Sequence, residues 1–285
     1  MNRLREFARH EMKEITRKIH IHLFFSEMKL AAVVQEKLHL VFTLSVSVAA
    51  ITALTTLAMC YRFGHLSNGV YFPKISATGS PYPEHYVYAT GFSVSSFTLA
   101  AGLWAFHTKL IPQLFLDGEW ERTMNTWALR SGLLSCAGMF VQGLFGGRPE
   151  CLPSFVIHTT GTSTFIFSVG AYMTLVVVLL RKSIRIPIGG GFAPQSRKAK
   201  HKLAMAYWAF GLVFAVCYVF FKQYVVGYFF TAVSEWATAL AYQLFIATYV
   251  PDVKRIKEYL KRPVSVASDE DYPEMIAIDD SNYVD

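Results

Sequence analysis

The chain has 285 residues, 27 Lys plus Arg against 20 Asp plus Glu, and four cysteines. It is 53% hydrophobic and only 16% charged, with a mean hydropathy of +0.32, whereas an ordinary soluble domain is about a quarter charged. That balance excludes a disordered chain, a collagen-like repeat and a cysteine-stapled secreted domain, and it turns the net charge of +7 into a matter of membrane topology, not of nucleic-acid binding.

Residues 1–37 come first, a basic segment without an apolar run long enough for a cleavable signal peptide. Leu4, Ala8, Met12, Ile15, Ile19 and Leu23 share one helical face, with Arg3, Arg5, Arg9, Lys13, Arg17 and Lys18 mostly elsewhere. Such a basic amphipathic helix either lies in the headgroup layer, drawn by anionic lipid, or packs on neighbouring loops. Residues 38–250 follow as the membrane domain. A hydrocarbon core of about 30 Å takes about 20 helical residues at about 1.5 Å each, and six stretches meet that length: Leu38–Tyr61, Tyr86–Phe106, Thr126–Gly146, Ser154–Leu180, Leu203–Phe221 and Val225–Val250. The expected fold is therefore all-α, a six-transmembrane-helix bundle. Helices of a soluble protein would carry a polar stripe that these lack.

Positive charge sets the expected orientation. The segment before the first span, the second-to-third connection, the 181–202 connection and the tail together hold 23 of the 27 Lys and Arg residues. The other three connections hold Arg62, Lys74, Arg148 and Lys222. The positive-inside rule then puts both termini in the cytosol, with the first span as its own uncleaved insertion signal.

The 181–202 connection reads as a flexible, basic cytosolic linker. Its Gly189, Gly190 and Gly191 lack the Lys-Ser/Thr of a nucleotide-binding loop. Residues 251–285 form a cytosolic tail that is acidic from residue 263, with seven acids and no Lys or Arg beyond that point; such a segment is expected to be disordered. In it Ser268 precedes Asp269, Glu270 and Asp271, a setting acidophilic kinases favour, and Tyr272-Pro-Glu-Met275 has the form of an endocytic or lysosomal sorting signal. Cys60 and Cys151 both fall on the non-cytosolic side, where a disulfide between them is sterically possible. No Cys/His spacing resembles a metal site, and no cofactor motif occurs.

Ionisable groups inside a membrane are costly and mark candidate sites. Glu235 is the one acid well inside a predicted span, and His158 begins the fourth span near the same face. As a pair they could act as general base and orienting acid; singly they would fix helix packing or anchor a helix end. The small pairs Thr98/Gly102, Ala128/Gly132 and Gly143/Gly147 suit close helix contacts.

The first non-cytosolic loop reads Ile75-Ser76-Ala77-Thr78-Gly79-Ser80-Pro81-Tyr82-Pro83-Glu84. It resembles the Ile-Ser-Asp-Thr-Gly, three residues, Pro-Glu signature of the DRAM–Frag–Sfk family, which includes the damage-regulated autophagy modulators. The likeness continues at Ile157-His158 with Gly161, Phe165, Gly170 and Tyr172, and returns at Ser234-Glu235-Trp236 with Phe245, Thr248 and Asp252. Ala77 departs from the family's usual Asp. The resemblance implies that Ser76, Thr78, Gly79, Pro83 and Glu84 cap the bundle on the lumenal face, with His158 and Glu235 as the matching intramembrane positions. It supplies no assigned catalytic residue. What it implies for function is a non-enzymatic multi-pass protein of lysosomal or other endomembranes, with plasma membrane and Golgi as other locations. Its partners would be anionic lipid headgroups and a peripheral protein or sorting adaptor, and no nucleic acid. The alternative is a factor that remodels the lipid of glycosylphosphatidylinositol anchors, or a subunit of a lipid acyl-transfer system, built on His158 and Glu235.

Overall fold

The structure, a computed structural model, describes residues 36–66, 71–115, 118–147, 151–182, 192–221 and 224–260. Every element among them is a helix: α1 Leu38–Phe63, α2 Ile75–Thr78, α3 Glu84–Ala105, α4 Pro112–Phe115, α5 Glu119–Leu144, α6 Leu152–Lys182, α7 Pro194–Val216, α8 Val225–Ala247 and α9 Tyr249–Leu260. Helices α3 and α7 each run on through one π-helical turn, Phe106–Leu110 and Cys217–Phe221. The N-terminal amphipathic segment, Ser268 and the sorting signal at Tyr272 and Met275 lie outside the described residues.

Four helical stretches are long and apolar enough to cross a membrane: Leu38–Phe63, Glu84–Leu114, Leu152–Arg181 and Pro194–Phe221. The remaining long helices, α5 and α8, place polar side chains in the bundle. Helix α5 carries Asn125, Ser135 and Gln142, and α8 carries Thr231, Ser234 and Thr238; all of these side chains are buried. The hydroxyls of Thr231, Ser234, Thr238 and Ser135 donate to carbonyls of their own helix, and Asn125 bonds His107.

Each of the six long helices packs on the next in chain order, and α8 returns to α1 to close the ring. In lipid, apolar surface gives no net drive to associate, so close packing and interhelical hydrogen bonds hold such contacts. On the α1–α3 seam the Ser45 hydroxyl donates to the Ser95 carbonyl and the Ser95 hydroxyl to the Ser45 carbonyl, both at 3.0 Å. Between α5 and α6 the backbones nearly touch: a Cβ on Gly138 would lie 2.6 Å from the Phe165 nitrogen, and one on Gly161 2.8 Å from the Gln142 nitrogen. Gly132 and Gly143 let α5 approach Leu103 and Phe92 of α3. Tyr207 of α7 donates to the Ile166 carbonyl of α6 at 2.7 Å.

Two expectations are corrected. The basic run at Arg197–Lys202 is not linker but the first turns of α7, which starts at Pro194. Proline suits the first position of a helix, where its missing N–H costs nothing. Lys200 in that run is fully buried. The second correction concerns Cys60 and Cys151, which are both free thiols. Cys60 faces the bundle interior at 1% exposure, whereas Cys151 is exposed ahead of α6, so the two do not meet.

Candidate functional site

Polar side chains gather at the two ends of the bundle. One end is capped by the segment 71–83, which folds the Ile75–Thr78 block into the single-turn helix α2. Ile75 drops into the core, and the Thr78 hydroxyl meets that of Thr56 on α1 at 3.0 Å. Gly79 is required here, since a Cβ would fall 2.1 Å from the Tyr88 ring, and its carbonyl accepts from His85 Nδ1 at 3.0 Å. Pro83 leads into α3 through a cis Tyr82–Pro83 peptide. Glu84, fully buried in the first turn of α3, takes His65 Nδ1 on Oε1 at 2.6 Å, which ties the end of α1 to the start of α3.

Helix α8 latches this cap from the other side. The Ser76 backbone N–H donates to Glu235 Oε1 at 3.2 Å, and Trp236 Nε1 donates to the Pro73 carbonyl at 3.0 Å. Lys74 sits over the rings of Tyr218 and Tyr228, 5.1 and 5.7 Å from their centroids, a cation–π pairing. The loop signature and the Ser-Glu-Trp block, far apart in sequence, are thus one contact in space. Glu235 serves as an acceptor for a backbone donor that the cap would otherwise leave unpaired. Replacing Glu235 with Ala is expected to cost about 1–3 kcal/mol locally. Hydrogen exchange at Ser76 should then rise at least about tenfold, while Glu235→Gln, which keeps an acceptor oxygen, retains most of the protection.

His158 is placed elsewhere. It is 6% exposed at the α5–α6 interface, and its Nδ1 donates to the Phe145 and Gln142 carbonyls at 2.7 and 3.1 Å. Those are terminal carbonyls of α5 without a helical partner, so the ring caps that helix. Gly147 leaves room for it, with a Cβ there 3.1 Å from the imidazole. Among the described residues no hydrogen bond joins His158 to Glu235: one faces the end of α5, the other α2. The structure does not assemble them as an acid–base pair.

The opposite end holds a network that the sequence did not reveal. Lys200 Nζ donates to Asp252 Oδ2 at 2.5 Å, Thr248 Oγ1 at 2.5 Å and Ser196 Oγ at 3.0 Å, and Ser196 in turn donates to Asp252 at 2.8 Å. All three ammonium protons are used. The rings of Tyr249, Phe192 and Phe245 surround the cation, with centroids 4.5, 5.4 and 5.8 Å away. Beside it, His107 in the π turn of α3 joins Asn125 of α5 through Nδ1 at 2.7 Å and Tyr172 of α6 through Nε2 at 3.3 Å. Asn125 Nδ2 already donates to the His107 carbonyl, so its Oδ1 accepts. The imidazole proton is therefore on Nδ1, and Nε2 accepts from Tyr172. Tyr249 then donates to Tyr172 at 2.6 Å. This chain ties α3, α5, α6 and α9, and the Lys200 cluster adds α7 and the end of α8.

Of the residues singled out by the sequence, Ser76 and Glu235 come together, Asp252 finds a buried cation, and Gly161 marks the closest helix crossing. Lys200, His107, Asn125 and Tyr249 were missed. His107 and Asn125 sit just beyond span ends, where polarity reads as interface, and Lys200 was one cation in a basic run. The Frag1/DRAM/Sfk1/Cwh43P N-terminal domain matches residues 37–256 by its family sequence model. No curated protein and no solved structure matches the chain.

Proposed function

The chain belongs to the Frag1/DRAM/Sfk1/Cwh43P family, and on that premise we propose that it is a non-enzymatic, multi-pass endomembrane regulator or adaptor. Its role is linked to lysosomal and autophagic membranes or to the organisation of their lipids. In this reading all six long helices cross the bilayer, α5 and α8 included, since their 26 and 23 residues suffice for a hydrocarbon core. An even number of crossings returns both termini to one side, which the basic residues assign to the cytosol. The cap of residues 71–83 then faces the lumen, and the Lys200 end faces the cytosol and anionic headgroups.

The observation that carries the non-enzymatic reading is that each buried candidate group makes structural bonds at its own interface. Lys200 spends every proton on the bundle, His158 caps α5, and Glu235 holds the cap. The acyl-remodelling alternative drew its support from His158 beside Glu235, and against it stands the fact that the two take different partners, the end of α5 and the cap.

The test is residence and flux in cells. Protein tagged at either terminus is expected on lysosomal or related endomembranes, with both tags reached by antibody once the plasma membrane alone is permeabilised. Loss of the protein should change autophagic turnover. Exclusive Golgi residence with normal turnover overturns the reading, and a lumenal tag overturns the topology.

A further inference from the structure

Near the Lys200 end of the bundle, α3 and α5 each present an exposed tryptophan with a cation over its ring. Arg130 of α5 holds its guanidinium 5.1 Å from the Trp127 ring centroid, and Lys109, in the π turn that extends α3, holds Nζ 5.7 Å from that of Trp104. Trp127 is 51% and Trp104 40% exposed, and both cations are exposed as well. The two pairs stand at one level. Asn125 and His107 meet at 2.7 Å, and from that contact Trp127 lies two residues and Trp104 three residues toward the cap, about 3 and 4.5 Å at about 1.5 Å per residue.

That level fits a membrane boundary. From Trp127 to Leu144, where α5 ends, the helix rises about 25 Å, against about 30 Å for a hydrocarbon core, and tryptophan favours the headgroup layer. Arg130 lies about one turn deeper than Trp127, on the outward stripe that continues through Leu134 and Leu144, 53% and 42% exposed. It is the one Lys, Arg, Asp or Glu in residues 123–147. A helical side chain leans toward the N-terminus of its helix, so the guanidinium reaches back over Trp127, out of the hydrocarbon and not into it. The helices packed closely against α5 bring it no carboxylate: the one acid of α3 is Glu84 at the far end, and α6 has none. On α5 itself the nearest acid is Glu121, nine residues back, about 13 Å along the helix.

We propose that Arg130, steadied on the Trp127 ring, binds the phosphate of a lipid in the cytosolic leaflet, with Lys109 on Trp104 making the same contact from α3. A guanidinium offers a phosphate two parallel N–H donors, and the ring beneath holds it at the depth where the phosphates begin. Every phospholipid carries that group, so the contact forms with phosphatidylcholine and needs no net negative headgroup. Arg130 reaches the cytosolic leaflet only if α5 crosses the bilayer with its start in the cytosol, so the site rests on the reading given above.

The full chain in phosphatidylcholine bilayers and phosphate-free buffer, labelled with fluorotryptophan and with arginine carrying carbon-13 at Cζ, tests the crossing and the site separately by magnetic resonance. The Trp127 fluorine signal is the one lost in Trp127→Phe, and the Arg130 carbon signal is the one lost in Arg130→Gln; both side chains are exposed, so neither change touches a buried contact. Spin-labelled lipid should relax the Trp127 fluorine several-fold faster with the label near the headgroup than with it near the chain end. Carbon–phosphorus recoupling should remove most of the Arg130 signal. If neither spin label relaxes Trp127, α5 lies outside the bilayer, and the six-crossing reading falls together with the site. If the headgroup label relaxes Trp127 but the Arg130 signal survives recoupling in full, the crossing stands and the phosphate site is overturned. Faster relaxation by the chain-end label also overturns the site alone, because Trp127 then lies too deep for Arg130 to meet a phosphate.

Discussion

Asp252→Ala is expected to cost about 3–5 kcal/mol and to remove most of the folded protein, because it leaves the Lys200 ammonium buried without a counter-charge. Lys200 and Asp252 are 0% and 1% exposed, so bulk solvent does not screen the ammonium once the carboxylate is gone. The two hydroxyls on Nζ and the three surrounding rings lessen the penalty but cannot neutralise the charge. A domain stable by about 5–15 kcal/mol has little margin for such a loss. The apolar pair Lys200→Met, Asp252→Leu is expected to restore much of the stability, since taking both charges out also removes their desolvation cost. Thermal unfolding in detergent, with yield after size exclusion, checks both. If the double variant is as damaged as Asp252→Ala, the site matters through its packing and not through its charge.

Gly138→Val is expected to be strongly damaging at the α5–α6 contact. Its Cβ would meet the Phe165 nitrogen at 2.6 Å and the Gly161 carbonyl at 2.8 Å. Those are backbone atoms of α6 and cannot swing aside as a side-chain end can. Overpacking typically costs about 1–3 kcal/mol, and a clash between two backbones belongs at the top of that range. Gly211→Ala makes the contrast. A Cβ there meets nothing within 4 Å, and alanine gains up to about 1 kcal/mol of helix propensity. The same unfolding measurement should show a lower midpoint for the first and an unchanged or higher one for the second. An unchanged midpoint for Gly138→Val would mean that α5 and α6 are free to separate.

How much of this was legible beforehand varies residue by residue. The cap was legible, because the loop block and the Ser-Glu-Trp block stood out as motifs, although their contact did not. The small pairs Ala128/Gly132 and Gly143/Gly147 pointed to close crossings, and Gly132 and Gly143 do meet α3. The tighter crossing at Gly138 and Gly161 was not paired in advance, since the two glycines lie on different helices. The start of α7 was misread, because a run of Arg, Lys and His looks like a solvated linker until one of its lysines is known to be buried.

What the sequence determined by itself was the membrane class and the places where helices run. A backbone in lipid must satisfy its hydrogen bonds within each helix, so length and hydropathy, which are local properties, suffice to find them. What only the tertiary structure decided was the partner of each buried polar group. Ser76 and Glu235 stand 159 residues apart, and Lys200 and Asp252 stand 52 apart. Whether they meet depends on which helices adjoin, how they are rotated and where glycine lets them close in. Those are properties of the packed bundle and of no single segment, which is why Glu235 and His158, plausible partners on paper, serve two different interfaces.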